Sequence, residues 1–216
     1  DTGFNNAFIN MAIDEVLLSS IVPVLRLYQW KPCAVSIGRY QDLDDIDLDY
    51  CTENSIDVVR RITGGKAVLH EKELTYSFII DKDEMPRSII ESYKIISSAI
   101  IQGLRTLGLN PEMNSSKVEN RDNPVCFQEQ SFNELTINRK KFVGSAQVRR
   151  NGKLLQHGSI LTGINTEKHS SCFKEKPATD DLRERITYID IPEEKLKSAI
   201  KQGFSVYFNT GLNEIS

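Results

Sequence analysis

Apolar residues recur along the chain with two different periods, and the places where the period changes mark its elements. Asn5-Asn6 offer an N-cap, and over residues 7–18 Phe8, Met11, Ala12, Val16 and Leu17 fall near helical spacing, which predicts an amphipathic first helix. Pro23 closes the turn behind it. Residues 24–28 and 34–38 read as two short strands separated by Lys31-Pro32, residues 48–54 as a short helix, and residues 58–61 as a strand running into Gly64-Gly65. Over residues 73–80 Tyr76, Phe78 and Ile80 alternate with Thr75, Ser77 and Ile79, the pattern of a strand packed unequally on its two faces. The strongest helical stripe is Ile89, Tyr93, Ile96, Ile100 and Leu104 within residues 88–107.

Residues 114–123 are polar and end before Pro124, which predicts a loop of a length that commonly serves function. Strand periodicity returns over residues 132–137, 141–149 and 153–161. Asn151-Gly152, between the last two, suits the positive φ values of a two-residue hairpin turn. A final helix over residues 193–204 starts at Pro192. No repeat, linker or low-complexity segment interrupts the pattern, so a single α+β domain spanning residues 1–216 and built on a mixed sheet is expected.

Composition narrows the function classes more than the fold. With 39% hydrophobic and 26% charged residues among 216, the chain has ordinary globular proportions, and no apolar run approaches the roughly 20 residues needed to span a bilayer. A formal charge of −3 argues against a phosphate backbone as partner. Cys33, Cys51, Cys126 and Cys172 are scattered without a C-x-x-C pair, which points to reduced thiols in a cytoplasm. The expectation is a cytoplasmic, monomeric protein with neither a nucleic-acid nor a membrane partner.

Two clusters and one cysteine carry the candidate chemistry. Arg60-Arg61-Ile62-Thr63-Gly64-Gly65-Lys66-Ala67-Val68-Leu69-His70 pairs adjacent glycines with flanking cations, which suits a backbone cradle for an anionic or carbonyl-like ligand; a plain basic turn is the alternative. It is not a Walker A loop, because Arg60 stands where a glycine is needed and Ala67 follows Lys66. His70-Glu71 lacks the second histidine of a zincin, and no other spacing suggests a metal. The second cluster is Lys141-Phe142-Val143-Gly144-Ser145-Ala146-Gln147, followed across the hairpin by Gln156-His157-Gly158-Ser159. Its small residues suit either a pocket wall or a strand packed under a helix. Cys126 alone reads as a small buried hydrophobe; as a nucleophile it would need a cation such as Lys141 or His157 nearby to lower its pKa.

Taken in order, these segments resemble the lipoate-protein ligase and biotin ligase superfamily over nearly the whole chain. Residues 8–15 resemble its first helix, residues 60–70 its R-R-x-T-G-G-x-A-V-x-H lipoyl-binding loop, and Lys141 with Gly144-Ser145-Ala146 its lysine and G-S-A strand. The resemblance implies that superfamily's catalytic-domain fold, with a largely antiparallel mixed sheet flanked by helices. Val125-Cys126-Phe127, Asn133-Glu134-Leu135 and Leu155-Gln156-His157-Gly158-Ser159 resemble the octanoyltransferase branch, whose members use a cysteine in this loop as acyl acceptor.

That branch implies Cys126 and Lys141 as the catalytic pair. It implies acyl binding by Arg61, Thr63, Gly64, Gly65, Lys66, Ala67, His70, Gly144, Ser145, Ala146, Gln147, His157 and Gly158, with no metal. The implied donor is octanoyl-acyl carrier protein, with no ATP and no other cofactor, and the implied acceptor is a lipoyl-domain lysine, the glycine-cleavage H protein foremost. The rivals are an ATP-dependent lipoate-protein ligase, an amidotransferase acting from H protein to dehydrogenase subunits, and a non-catalytic acyl-binding module. Against the superfamily pattern, Glu71 replaces the usual Asp and Gln128-Glu129-Gln130 replace small and proline residues. Relatives are expected to continue past Gly211-Leu212-Asn213 with further C-terminal structure.

Overall fold

The computed structural model describes residues 1–114 and 134–214, which form two sheets. The larger has seven strands: β1 (Gly3–Asn5), β2 (Val24–Trp30), β6 (Glu73–Asp81), β10 (Lys153–Leu161), β9 (Lys140–Arg150), β8 (Leu135–Ile137) and β7 (Glu112–Met113), in that spatial order. Only its β1–β2 pairing is parallel. The smaller sheet sets β3 (Ala34–Ile37) between β4 (Asp57–Arg60), which is parallel to it, and β5 (Val68–His70), which is antiparallel. The expected mixed, largely antiparallel architecture is what the chain adopts.

One face of the large sheet is apolar and carries two helices, α3 (Ile89–Arg105) and α6 (Glu193–Tyr207). Ser88 caps α3 by accepting from the Glu91 amide, which satisfies one of the donors a helix start leaves over. Ile96, Ile100 and Leu104 of the predicted stripe are fully buried against Tyr76, Phe78 and Phe204, whereas Ile89 at the helix start stays exposed. Each such buried side chain contributes about 1.5–3 kcal/mol. The β9–β10 turn has Asn151 at φ 53° and Gly152 at φ 78°, as the dipeptide predicts.

The other face of the large sheet buries polar groups, among them Arg26, Ser77 and His157, beside apolar ones such as Ile79 and Leu155, and the polar groups dictate how the first helix sits. α1 (Ala7–Leu17) starts at Asn6, whose side chain accepts from the Ile9 amide. Contrary to the predicted stripe, it buries Ala7, Asn10, Met11 and Asp14 and leaves Phe8 59% and Val16 69% exposed. The reason is Arg26 on β2. Its guanidinium is buried and donates to Asp14 Oδ1 (2.7 Å), Asn10 Oδ1 (2.6 Å) and the Asn10 carbonyl (2.9 Å). An uncompensated buried ion costs several kcal/mol, more than leaving an apolar side chain in water, so the polar residues of α1 turn inward.

The short helix α2 (Leu48–Glu53) lies where expected, but α4 (Thr166–Ser171) and α5 (Thr179–Arg185), each seven residues or fewer, escaped the periodicity. The predicted loop beyond Asn114, the start of the strand predicted over residues 132–137, and Cys126 lie outside the described residues. Among the described residues no helix is long and apolar enough to cross a membrane.

Candidate active site

The glycine loop joins β4 to β5, and Arg61 holds its shape. Buried at the loop's start, Arg61 donates through Nε to Thr63 Oγ1 (3.1 Å), through Nη1 to the Ser36 carbonyl (2.9 Å) and Oγ (3.1 Å), and through Nη2 to the carbonyls of Gly64 (2.9 Å) and Lys66 (2.7 Å). The rigid guanidinium fork therefore works as an internal template for the loop. Gly65 sits at φ +92°, and a Cβ on Gly38 would lie 1.8 Å from its carbonyl oxygen. The loop rests directly on the end of β3, a closeness only glycine at position 38 permits. Arg60 donates to the carbonyls of Gly38, Arg39 and Gln41 and holds the facing segment.

From Arg61 two relays of the same composition run to buried carboxylates. In the first, Thr63 Oγ1 lies 2.7 Å from His157 Nε2, and His157 Nδ1 lies 3.1 Å from Asp14 Oδ2. Burial pushes the His157 pKa down, and the Arg61 guanidinium adds to that against the pull of Asp14, so the ring is neutral near pH 7. An ionised carboxylate can only accept, so Nδ1 carries the proton and the Thr63 hydroxyl donates to Nε2. Burial opposes ionisation of Asp14, yet His157 and the Arg26 guanidinium hold its carboxyl below the ordinary carboxylate range. Tyr28 and Ser77 also donate to it, at 3.1 and 2.9 Å.

In the second relay Ser36 Oγ lies 2.7 Å from His70 Nε2, and His70 Nδ1 lies 2.8 Å from Glu73 Oε1, which also accepts from Thr75 (2.5 Å) and Ser159 (2.7 Å). Burial raises the Glu73 pKa, but His70 and the two hydroxyls outweigh it, so its carboxyl stays below the ordinary range. Trp30 stacks on the His70 ring at 4.0 Å and donates to Thr75 (2.7 Å).

The two halves of the predicted second cluster pair along β9 and β10, Ala146 opposite His157 and Gly144 opposite Ser159. A Cβ on Gly158 would meet Ser145 Oγ at 2.5 Å and the Gly144 carbonyl at 2.6 Å, so its missing side chain lets β9 close in. Ser145 Oγ bonds the Tyr76 hydroxyl (2.8 Å), Gln156 donates to the same hydroxyl (2.9 Å), and Gln147 bonds Gln156 (2.9 Å). Gly144, Ser145, Ala146 and Gln147 are half-buried. Ala67 packs into the core of the small sheet beside Val35 and Ile37, while Gly65 is exposed and Lys66 half-buried.

Lys141 is placed by different neighbours. It is fully buried on β9, forms an ion pair with Glu134, accepts the Thr187 amide on its carbonyl (2.8 Å) and bridges Ile186 through its backbone. A buried ammonium is held at such a site by its carboxylate, and Glu134 supplies it. His169 on α4 lies near enough to feel this charge: burial, then Lys141, lower its pKa to about 4.

Because the folded value lies below the ordinary 6.5, the unfolded chain binds the extra proton first. The stability His169 contributes is complete above pH 6.5 and is lost as pH falls toward 4, by about 3 kcal/mol. Urea unfolding at pH 7.0 and 4.5 checks this: His169→Gln is expected to remove most of that acid-side slope, and an unchanged slope would contradict it.

Sequence reasoning therefore found Arg61, Thr63, His70 and His157, which the structure joins in one network. It gave no role to Asp14, Ser36, Glu73 and Glu134. The available signal was an acid on the buried side of a helix or strand, at Asp14 and Glu73. Among the described residues no group of three or more His, Cys, Asp or Glu could hold a metal ion.

Residues 6–205 match the family described as the lipoyl protein ligase A/B catalytic domain. The chain belongs to this family. Within it, the chain is 45% identical to an octanoyltransferase LipM of Clostridioides difficile (strain 630) over 82% of its own length and 68% of that relative. It is 36% identical to an octanoyltransferase LipM of Macrococcus caseolyticus (strain JCSC5402) over 99% of its length and 86% of the relative's. Among solved structures, a lipoate-protein ligase A bound with ATP superposes with a TM-score of 0.83 at 28% identity, covering 98% of this chain and 85% of that one. The glycine loop, the two relays and the buried Lys141 are thus features of a lipoyl ligase-type catalytic domain.

Proposed function

We propose that the chain is an octanoyltransferase of lipoate synthesis that carries the acyl group on Cys126 as a thioester. The observation that supports it most is the extended likeness to octanoyltransferases, at 36–45% identity over 82–99% of the chain. In the first step Cys126 Sγ, as thiolate, attacks the thioester carbonyl of octanoyl-acyl carrier protein. The new S–C bond forms as the carrier's C–S bond breaks, and the carrier leaves as a thiolate that takes up a proton. In the second step the neutral ε-amine of a lysine on a lipoyl-domain protein, the glycine-cleavage H protein foremost, attacks octanoyl-Cys126. The N–C bond forms, the Cys126 thiolate leaves, and one amine proton is released.

Thioester exchange is nearly balanced and the product amide is more stable than a thioester, so the sequence of steps runs without ATP. Lys141, fully buried as an ion pair, supplies positive charge for the thiolate and the developing oxyanion, and the Gly64-Gly65 loop supplies backbone donors. Arg61, Thr63, Lys66, His70, Gly144, Ser145, Ala146, Gln147, His157 and Gly158 bind or position the acyl group around them.

Initial rates without ATP separate this from its rivals. Octanoyl-acyl carrier protein is expected to be the better donor than octanoyl-H protein. The reverse order would make the chain an amidotransferase, and an absolute need for ATP with free octanoate would make it a ligase.

A further inference from the structure

Asp14 lies on α1, outside both motifs that name the site, and its side chain is almost fully buried, so it is not a group that meets substrate. Its two oxygens serve different neighbours. Oδ1 accepts from Arg26 Nη1 (2.7 Å) and Ser77 (2.9 Å), and Oδ2 accepts from Tyr28 (3.1 Å) and His157 Nδ1 (3.1 Å). Beyond His157 the relay runs through Thr63 Oγ1, which lies 2.7 Å from Nε2 and also accepts from Arg61 Nε (3.1 Å). A guanidinium can only donate and a carboxylate can only accept. With the ring neutral, every proton of the relay therefore points from Arg61 toward Asp14.

We propose that Asp14 is a positioning residue for acyl transfer: by holding the His157 proton on Nδ1 it lets Thr63 donate to the ring while accepting from Arg61, and so keeps the Gly64-Gly65 loop in shape. The inference rests on the reading that this loop gives backbone donors to the acyl carbonyl. The mechanical link is Arg61, whose Nη2 holds the carbonyls of Gly64 (2.9 Å) and Lys66 (2.7 Å). Because the guanidinium fork is rigid, displacing Nε from Thr63 tilts the nitrogens that hold the loop. Arg26 prevents an amide from replacing the carboxylate. In Asp14→Asn the Arg26 guanidinium keeps the oxygen on its own side, which turns the amide N–H group toward His157. The ring must then accept at Nδ1 and carry its proton on Nε2. That proton meets a Thr63 oxygen that Arg61 already donates to, and the buried Thr63 hydroxyl proton loses its acceptor. The opposite amide orientation sets an N–H group against the Arg26 cation.

Nitrogen-15 NMR of the uniformly labelled protein, with no acyl donor present, tests the first half of this. Parent His157 is expected to show the Nδ1–H tautomer and Asp14→Asn the Nε2–H tautomer, with the Gly64 and Gly65 amide resonances displaced in the variant. Single-turnover transfer from octanoyl-acyl carrier protein tests the second half, because misfolding lowers its amplitude and mispositioning lowers its rate constant. Asp14→Asn is expected to lower the rate constant about 10- to 100-fold at near-parental amplitude. Added to Thr63→Val it is expected to cost less than about twofold more, since both substitutions cut one relay. An Nε2–H tautomer in the parent, an unchanged rate constant in the folded variant, or losses that multiply in the double variant would overturn the proposal. The parent spectrum decides the first of these even if Asp14→Asn fails to fold. The tautomer and the loop amides are read before any donor is added, so they are independent of whether Cys126 forms a thioester.

Discussion

A Cys126→Ser variant will transfer octanoate from octanoyl-acyl carrier protein to a lipoyl domain more slowly than the parent by roughly three orders of magnitude or more. The two nucleophiles differ in how readily they ionise. A thiol beside a cation ionises near neutral pH, and its thiolate attacks a thioester carbonyl to give another thioester of similar energy. A serine hydroxyl in the same place is not ionised without a dedicated base, and the ester it would form is a poorer acyl donor to an amine. Lys141, held as a buried ammonium by Glu134, offers positive charge and no spare lone pair. In the proposed mechanism it would assist a thiolate and would do nothing to deprotonate a hydroxyl. Initial rates of amide formation, followed by the mass of the lipoyl domain, give the result, and a variant as fast as the parent would contradict the mechanism.

Asp14→Ala will cost about 3–5 kcal/mol of folding stability, the largest stability effect expected from one side chain here. Arg26 and Asp14 are 2% and 1% exposed, so removing the carboxylate strands a guanidinium that water cannot reach. His157 Nδ1, the Tyr28 hydroxyl and the Ser77 hydroxyl lose their acceptor at the same time. Asp14→Asn keeps the shape and one oxygen, so a smaller loss is expected. The pH dependence carries a sign. Asp14 has a lowered folded pKa, so its contribution is complete above the ordinary carboxylate range and disappears as pH falls through the folded value. The difference between parent and Asp14→Ala should therefore shrink in acid. Urea unfolding at neutral pH with an unchanged m-value checks the cost, and a loss under about 1 kcal/mol would mean the ion pair is not the anchor described.

Local signals carried most of the element boundaries. Positive φ at Asn151 and Gly152, the Ser88 cap and the buried run Ile96, Ile100 and Leu104 all follow from residues a few positions apart. What was not legible is long-range. The inward face of α1 is set by Arg26, which lies outside the helix, so counting apolar positions inside it pointed Phe8 and Val16 the wrong way. The same holds for the candidate site. The motif around Gly64-Gly65 names Arg61, Thr63 and His70, and the β10 motif names His157. The partners of the two histidine rings, Asp14, Ser36 and Glu73, sit on other segments, where a single acid or hydroxyl looks like any exposed polar residue until the fold is known. α4 and α5 are too short for a helical period to register against their many charges.

The proposed mechanism holds octanoyl on Cys126 between donor and acceptor. Intact-mass measurement of the protein after incubation with octanoyl-acyl carrier protein and no ATP tests it most directly. A single octanoyl adduct is expected that maps to Cys126, is released by hydroxylamine and is absent from Cys126→Ser. A parent that stays unmodified without ATP while still supporting transfer once ATP and octanoate are added would contradict it.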